Sequence, residues 1–170
     1  AIKSEMLAML PGQKLFDRMA TSAESLAAEA MAYAKELAAQ HGRRVPMFLK
    51  IAPDLDDDQV AVIASSLLKH QMDGVIATNT TIDRSNLNTS KSKVEQMGAG
   101  GLSGKPVYEA SNTILGFLAM ELGSEIPLIG VGGVFTKEDF EGKISRGASL
   151  VQVYTGFIYV GPRIVRKILS

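Results

Sequence analysis

Five short stretches of the sequence hold residues whose types suit ligand chemistry. The first is Phe48-Leu49-Lys50-Ile51-Ala52-Pro53-Asp54. Lys50 sits between apolar neighbours, where a cation is costly unless something pairs with it. It either snorkels to water at a strand end or stands against an anionic ligand. The second is Thr78-Asn79-Thr80-Thr81. Asparagine both donates and accepts, so it suits a planar ring bearing amides. The same residues also make an ordinary turn capped by Asn and Thr. The third runs from Gly98 to Pro106 and reads GAGGLSGKP. Its glycines give either simple loop flexibility or backbone N–H groups that approach a ligand closely. The fourth is Gly130-Val131-Gly132-Gly133 and the fifth is Tyr154-Thr155-Gly156. Both precede a helix, and backbone N–H groups at helix starts suit a phosphate. Turns of small residues would account for either alone; their recurrence in register favours the phosphate site.

Other chemistry finds no support. His41 and His70 stand singly near expected helix ends, where a cation is at home without any catalytic role. Asp56-Asp57-Asp58 reads as negative charge at a helix N-terminus, so no metal site is expected there. Walker A, Rossmann, G-x-S-x-G and H-E-x-x-H patterns are all missing.

The elements that must position these stretches follow from the apolar patterning. Residues 1–42 read as helix. Met6, Leu7 and Leu10 cluster before a break at Pro11-Gly12, and a short turn follows around Leu15, Phe16 and Met19. Thr21 with Glu24 predicts a capping box for the Ala-rich helix behind it, which Gly42 ends. From Val45 a repeating grammar begins. Apolar runs at Pro46–Ala52, Asp73–Thr78, Ile126–Val131 and Ser149–Tyr154 read as strands. They are near-continuous, as strands buried on both faces are. Between them lie predicted helices at about Asp56–His70, Tyr108–Leu122 and Thr136–Gly147, with Thr136 as N-cap. Asn79 to Pro106 reads as a long polar loop, and Pro162 opens a closing helix, RIVRKIL. Strands alternating with helices mean right-handed crossovers and a parallel sheet.

Composition bounds the rest. The chain has 170 residues, 18 Lys+Arg against 18 Asp+Glu, and no Cys. Zero net charge gives no support for a sequence-independent nucleic-acid binder, and without Cys there is no disulfide framework. No apolar run reaches the roughly 18 residues of a spanning helix, and the start does not read as a signal peptide. Four parallel strands are an awkward number, because a closed barrel needs eight and about 250 residues. The chain is therefore expected to be a small open α/β domain or part of a larger fold. Half a barrel leaves two strand edges open, through which a dimer could form. In a second half-barrel the fourth and fifth stretches follow strands seven and eight, where barrels often bind phosphate.

The motifs KIAPDL, DGVIATNTTIDR, GGLSGKP, IPLIGVGGV and GASLVQVYTGFIYVGP occur in this order, from about Val45 to Leu169. Together they resemble the C-terminal half of class 2, quinone-linked dihydroorotate dehydrogenase. The resemblance implies half of an FMN-binding TIM (β/α)8 barrel, with residues 43–170 as the half-barrel. Residues 1–42 would be a barrel helix plus an inserted helical segment. It implies oxidation of dihydroorotate to orotate with FMN and a quinone acceptor, in pyrimidine biosynthesis, by a peripheral enzyme on the cytoplasmic face of the inner membrane. Matched motif by motif, Lys50 would lie near the pyrimidine edge of the flavin, its charge favouring the anionic reduced form. Thr78 would touch the flavin, and Asn79 and Thr80 would hydrogen-bond the orotate ring. Gly104 and Gly133 would meet the ribityl-phosphate side, and Tyr154 and Thr155 would complete the phosphate site. The family's base, a serine on a first-half loop, has no counterpart here, nor do the helices of the quinone tunnel. The chain is accordingly expected to be a fragment, inactive alone. The competing readings are another FMN-dependent barrel oxidoreductase, a non-catalytic phosphate- or nucleotide-binding half-barrel, and a structural fragment without ligand.

Overall fold

The structure is a computed structural model that describes residues 13–170. The Met6–Leu10 cluster and the Pro11-Gly12 break lie outside the described residues. The chain opens on one continuous helix, α1 (Gln13–His41). The expected second start at Thr21 is not there. A Thr-x-x-Glu spacing caps a helix only where the backbone before it is extended. Here Ala, Leu, Glu and Lys carry the helix straight through a threonine that costs it only a few tenths of a kcal/mol. Ala27 and Met31 are buried, and α1 packs on α2.

Four short strands follow: β1 (Phe48–Ile51), β2 (Gly74–Ala77), β3 (Leu128–Val131) and β4 (Leu150–Gln152). They pair in parallel in chain order, β1-β2-β3-β4. Phe48 lies opposite Gly74, Ala77 opposite Gly130, and Val131 opposite Gln152. Burial departs from the near-continuous pattern expected of every strand. The inner pair β2 and β3 is almost wholly buried, whereas Phe48 and Lys50 of β1 and Leu150 and Gln152 of β4 are exposed. Position in the sheet decides this. An outer strand has one neighbour, and helices cover one of its faces. Lys50 is thus on an open face, not inside a closed one.

The crossovers are helical. α2 (Asp57–Lys69) starts on a capping box in which Asp56 accepts from the Gln59 N–H at 2.9 Å and Gln59 accepts from the Asp56 N–H at 3.0 Å. The aspartate run therefore serves the helix start, with Asp57 and Asp58 in the first turn. The Asn79–Pro106 connection is less irregular than the sequence suggests. It contains α3 (Lys91–Gln96) and an antiparallel bridge between Thr81 and Leu102, with N–H···O distances of 3.0 and 2.8 Å. A turn of 3-10 helix over Lys105–Val107 leads into α4 (Tyr108–Leu122). α5 (Lys137–Ile144) ends before the expected Gly147, closing in a turn where Gly147 N–H bonds the Ile144 carbonyl at 2.9 Å. A short α6 (Thr155–Val160), not expected, precedes α7 (Arg163–Leu169).

The core lies between the sheet and α1, α2 and α4. Val75, Ala77 and Leu128 of the strands meet Val60 and Leu67 of α2 and Leu115 and Leu118 of α4. Each such leucine, fully buried, contributes about 2 kcal/mol of transfer free energy. This packing fixes all four carboxyl strand ends on one side of the sheet.

Candidate functional site

Those strand ends open onto a cleft of about 250 Å³. The residues to which the resemblance gives a role all line it: Lys50, Thr78, Asn79, Thr80, Gly104, Gly133, Tyr154 and Thr155. Thr81 and the glycines Gly98, Gly100, Gly101 and Gly130 do not. The volume is just below the usual range of roughly 300–1,000 Å³ for small-molecule sites.

β1 and β2 supply polar side chains. Lys50 is exposed and pairs with no carboxylate among the described residues. One residue past β2, Thr78 is buried; its N–H donates to the Val131 carbonyl at 3.0 Å and its hydroxyl to the Asn79 carbonyl at 3.1 Å. The Ala77–Thr78 peptide is cis. Asn79 N–H donates to the Ile51 carbonyl at 2.7 Å, and its side-chain oxygen accepts from Thr80 N–H at 2.9 Å. The turn reading of this stretch and the ligand reading are thus compatible. The amide oxygen shapes the turn, and the NH₂ group is left to donate elsewhere.

The later loops supply backbone. Gly104 has φ +83°, and a Cβ there would stand 3.2 Å from Thr155 Cγ2. Gly133 has φ +73°, and a Cβ there would stand 2.9 Å from Tyr108 Cα and 3.1 Å from its nitrogen. At Gly133 both conformation and space exclude a side chain; at Gly104 the positive φ strains one and the Thr155 methyl would have to give way by a few tenths of an ångström. One wall of the cleft is therefore bare main chain. Thr155, the first residue of α6, donates its hydroxyl to Ser103 Oγ at 3.0 Å, joining the last loop to the GGLSGKP loop.

Behind this wall lies a charged network. Lys105 Nζ donates to both Asp139 oxygens at 2.6 and 2.7 Å. The same carboxylate accepts from the N–H groups of Phe135 at 2.9 Å and Thr136 at 3.0 Å. Burial pushes the Asp139 carboxyl up, but the Lys105 ammonium and these N–H donors outweigh it and hold it below the usual range. Lys143 of α5 is fully buried, donates to Ser111 Oγ and stands 5.3 Å from the centre of the Tyr108 ring. Burial and the nearby Arg146 lower it to about 8, against the opposing pull of Glu109 and Asp139.

Chemically, among the described residues the cleft offers one cation, the Asn79 and Gln152 amides, hydroxyls and backbone N–H groups, and no carboxylate or imidazole lines it. It is equipped to hold a polar ring and an anionic group, not for carboxylate or histidine acid–base chemistry. Ser103, Gln152 and the supporting Asp139 escaped the sequence reading. Asp139 had a visible signal, since Thr136 and Asp139 form a Thr-x-x-Asp capping box.

A family model described as dihydroorotate dehydrogenase matches residues 11–170. The chain belongs to the dihydroorotate dehydrogenase family. It is 53% identical over 133 residues to the dihydroorotate dehydrogenase (quinone) of Paraburkholderia xenovorans strain LB400, a match covering 78% of this chain and 38% of that protein. The dihydroorotate dehydrogenase (quinone) of Burkholderia pseudomallei strain 668 matches to the same extent. Among solved structures, an Eimeria tenella dihydroorotate dehydrogenase in complex with ferulenol superimposes with a TM-score of 0.75 at 34% identity, over 85% of this chain and 41% of that one. A ligand-free form from the same organism gives 0.68 at 40% identity, over 76% and 35%. The chain thus spans well under half the length of the dihydroorotate dehydrogenases it matches. Its α/β architecture is part of their TIM barrel. Among the described residues no helix is long and apolar enough to cross a membrane.

Proposed function

We propose that this chain is the flavin-binding and part of the substrate-binding half of a quinone-linked dihydroorotate dehydrogenase, with residues 43–170 forming barrel strands five to eight and their helices. The observation that carries the reading is the convergence of the carboxyl end of β1 and the loops after β2, β3 and β4 on one cleft, with bare backbone at Gly104 and Gly133 and the side chains of Lys50, Thr78, Asn79 and Thr80 lining it. FMN fits this donor set. A phosphate needs close backbone N–H groups, which Gly133, Tyr154 and Thr155 supply. The ribityl chain needs a wall without side chains, and Gly104 supplies it. A flavin ring needs a cation near its pyrimidine edge, and Lys50 is exposed near the carboxyl end of β1. Bound there, FMN would supply hydride acceptance from the substrate and electron passage to a quinone.

The chain's own residues orient. Asn79, its oxygen fixed by the Thr80 N–H, turns its NH₂ toward a carbonyl of the dihydroorotate or orotate ring. Thr80 adds a hydroxyl, and Thr78 is locked by its bonds to Val131 and Asn79. Proton removal from the substrate needs a base within hydrogen-bond reach. The loop that carries the family's serine base has no counterpart among the motifs of this chain, so this reading draws the base from another part of the whole enzyme. The outer edges of β1 and β4 are, in the same reading, seams of the complete barrel. Membrane attachment and the quinone path would belong to the whole enzyme as well.

The test is an anaerobic titration of the 170-residue chain with FMN, followed by dihydroorotate, monitored by flavin absorbance. The expected result is flavin binding without bleaching. Bleaching would place a working base among these residues and overturn the division of labour. Absence of any flavin binding would overturn the cofactor assignment.

A further inference from the structure

We infer that Lys105 and Asp139 are a positioning pair that holds the loop after β2 against the loop after β3, and so sets the glycine-walled end of the cleft. Gly104 is flanked by two tethers to two different loops. On its N-terminal side, Ser103 accepts the hydroxyl of Thr155 at 3.0 Å, from the loop after β4. On its C-terminal side, Lys105 grips both oxygens of Asp139 at 2.6 and 2.7 Å, on α5. Asp139 in turn holds the Phe135 and Thr136 N–H groups, just beyond Gly133. Its own carbonyl accepts from the Tyr108 hydroxyl at 3.3 Å, and Tyr108 is the residue that a side chain at Gly133 would strike.

One buried carboxylate thus gathers the anchors of both bare-backbone positions. The Lys105 ammonium also stands 5.3 Å from the Tyr108 ring centre and 5.7 Å from that of Phe135, which fixes its direction. A capping box alone would need no lysine. Thr136 and Asp139 satisfy the helix start by themselves. The added cation ties a helix terminus to a loop 34 residues away in sequence, next to Ser103 and Gly104, where that loop lines the cleft. Preorganisation of this kind supports binding because the loops need not be ordered when the ligand arrives.

The identity of the ligand rests on the flavin reading above; the loop-holding role does not. The experiment therefore has two arms. The first compares FMN with riboflavin, which lacks the phosphate, in titrations of the unaltered chain, Asp139→Asn, Lys105→Met and Lys105→Arg. Loss of the tether, which holds both glycine positions, predicts about tenfold weaker FMN binding in D139N and K105M, a smaller loss for riboflavin, which keeps the ribityl chain but lacks the phosphate, and K105R retaining most of the affinity. No loss for FMN, or a larger loss for riboflavin than for FMN, would overturn the inference. The second arm measures amide hydrogen exchange over residues 100–104 and 132–134 without ligand. Faster exchange there in D139N and K105M, with the α2 amides unchanged, is expected; unchanged exchange overturns the pairing. If the unaltered chain binds neither flavin, the second arm still decides, and only the ligand assignment falls.

Discussion

The buried ammonium of Lys143 costs the folded chain stability at neutral pH. Lys143→Met keeps the stem length and removes the charge. The stem is closely packed, since a Cβ on Gly130 would stand 2.9 Å from Lys143 Cδ. The folded chain holds this ammonium at about 8 against an ordinary 10.5, a gap worth roughly 3 kcal/mol. The sign follows from proton counting. Below about pH 8 both folded and unfolded chains carry the proton, and the folded state bears the whole burial cost. Between about 8 and 10.5 the folded chain releases the proton first, the unfolded chain binds more protons, and stability rises with pH. Methionine has nothing to desolvate. It forfeits the bond to Ser111, but that hydroxyl keeps its own acceptor, the Tyr108 carbonyl at 2.9 Å. K143M should therefore be more stable than the unaltered chain at pH 7, by about 1–3 kcal/mol. The advantage should shrink steadily from pH 8 to 10. Urea unfolding followed by far-UV circular dichroism at half-unit steps reads both quantities. Other groups titrating in this range, the tyrosines included, cancel in the difference between the two proteins. Parallel stability–pH curves, or a less stable K143M at pH 7, would refute the reasoning.

Two further substitutions separate the cleft from the scaffold. Gly133→Ala forces a Cβ to 2.9 Å from Tyr108 Cα at a φ of +73°. The strain and overpacking should cost about 2–4 kcal/mol in urea unfolding, and the displaced loop should abolish flavin binding in the absorbance titration. Asp56→Ala removes the N-cap of α2, on a residue that does not line the cleft. It should cost about 1 kcal/mol in stability while the flavin titration stays unchanged.

Much of the fold is written locally. α4 begins and ends where the sequence reading puts it, at Tyr108 and Leu122, because Pro106 and Gly123 bound an uninterrupted helical pattern. The four strands and their crossovers show equally well, since each apolar run is short and punctuated. What failed had a non-local cause. Thr21 looked like a cap because the spacing was right, but a cap depends on the backbone before it. Phe48 and Leu150 looked interior because they are apolar, yet their exposure follows from β1 and β4 lying at the sheet edges. The cleft was legible in its glycines and polar tips, because Thr78, Asn79, Gly133, Tyr154 and Thr155 lie within three residues of a strand end and Gly104 lies in a glycine-rich loop. The Lys105–Asp139 tether was not, because 34 residues separate its partners and nothing in either neighbourhood announces the other.

The chain-order sheet bears on how the molecule assembles. Each strand pairs only with its immediate sequence neighbours, so every β-α-β step can close as soon as its own residues are available, at a modest loop-closure entropy. The cleft does not mature in the same stepwise way. Lys50 comes from the first step, Asn79 and Gly104 from the second, Gly133 from the third, and Thr155 only after the last strand is laid down. A molecule stalled at three strands would have a sound partial core and an unfinished wall. Occupancy of the cleft is therefore a quality check on the whole chain, and a ligand that binds only the finished form pulls the last step of folding toward completion by mass action.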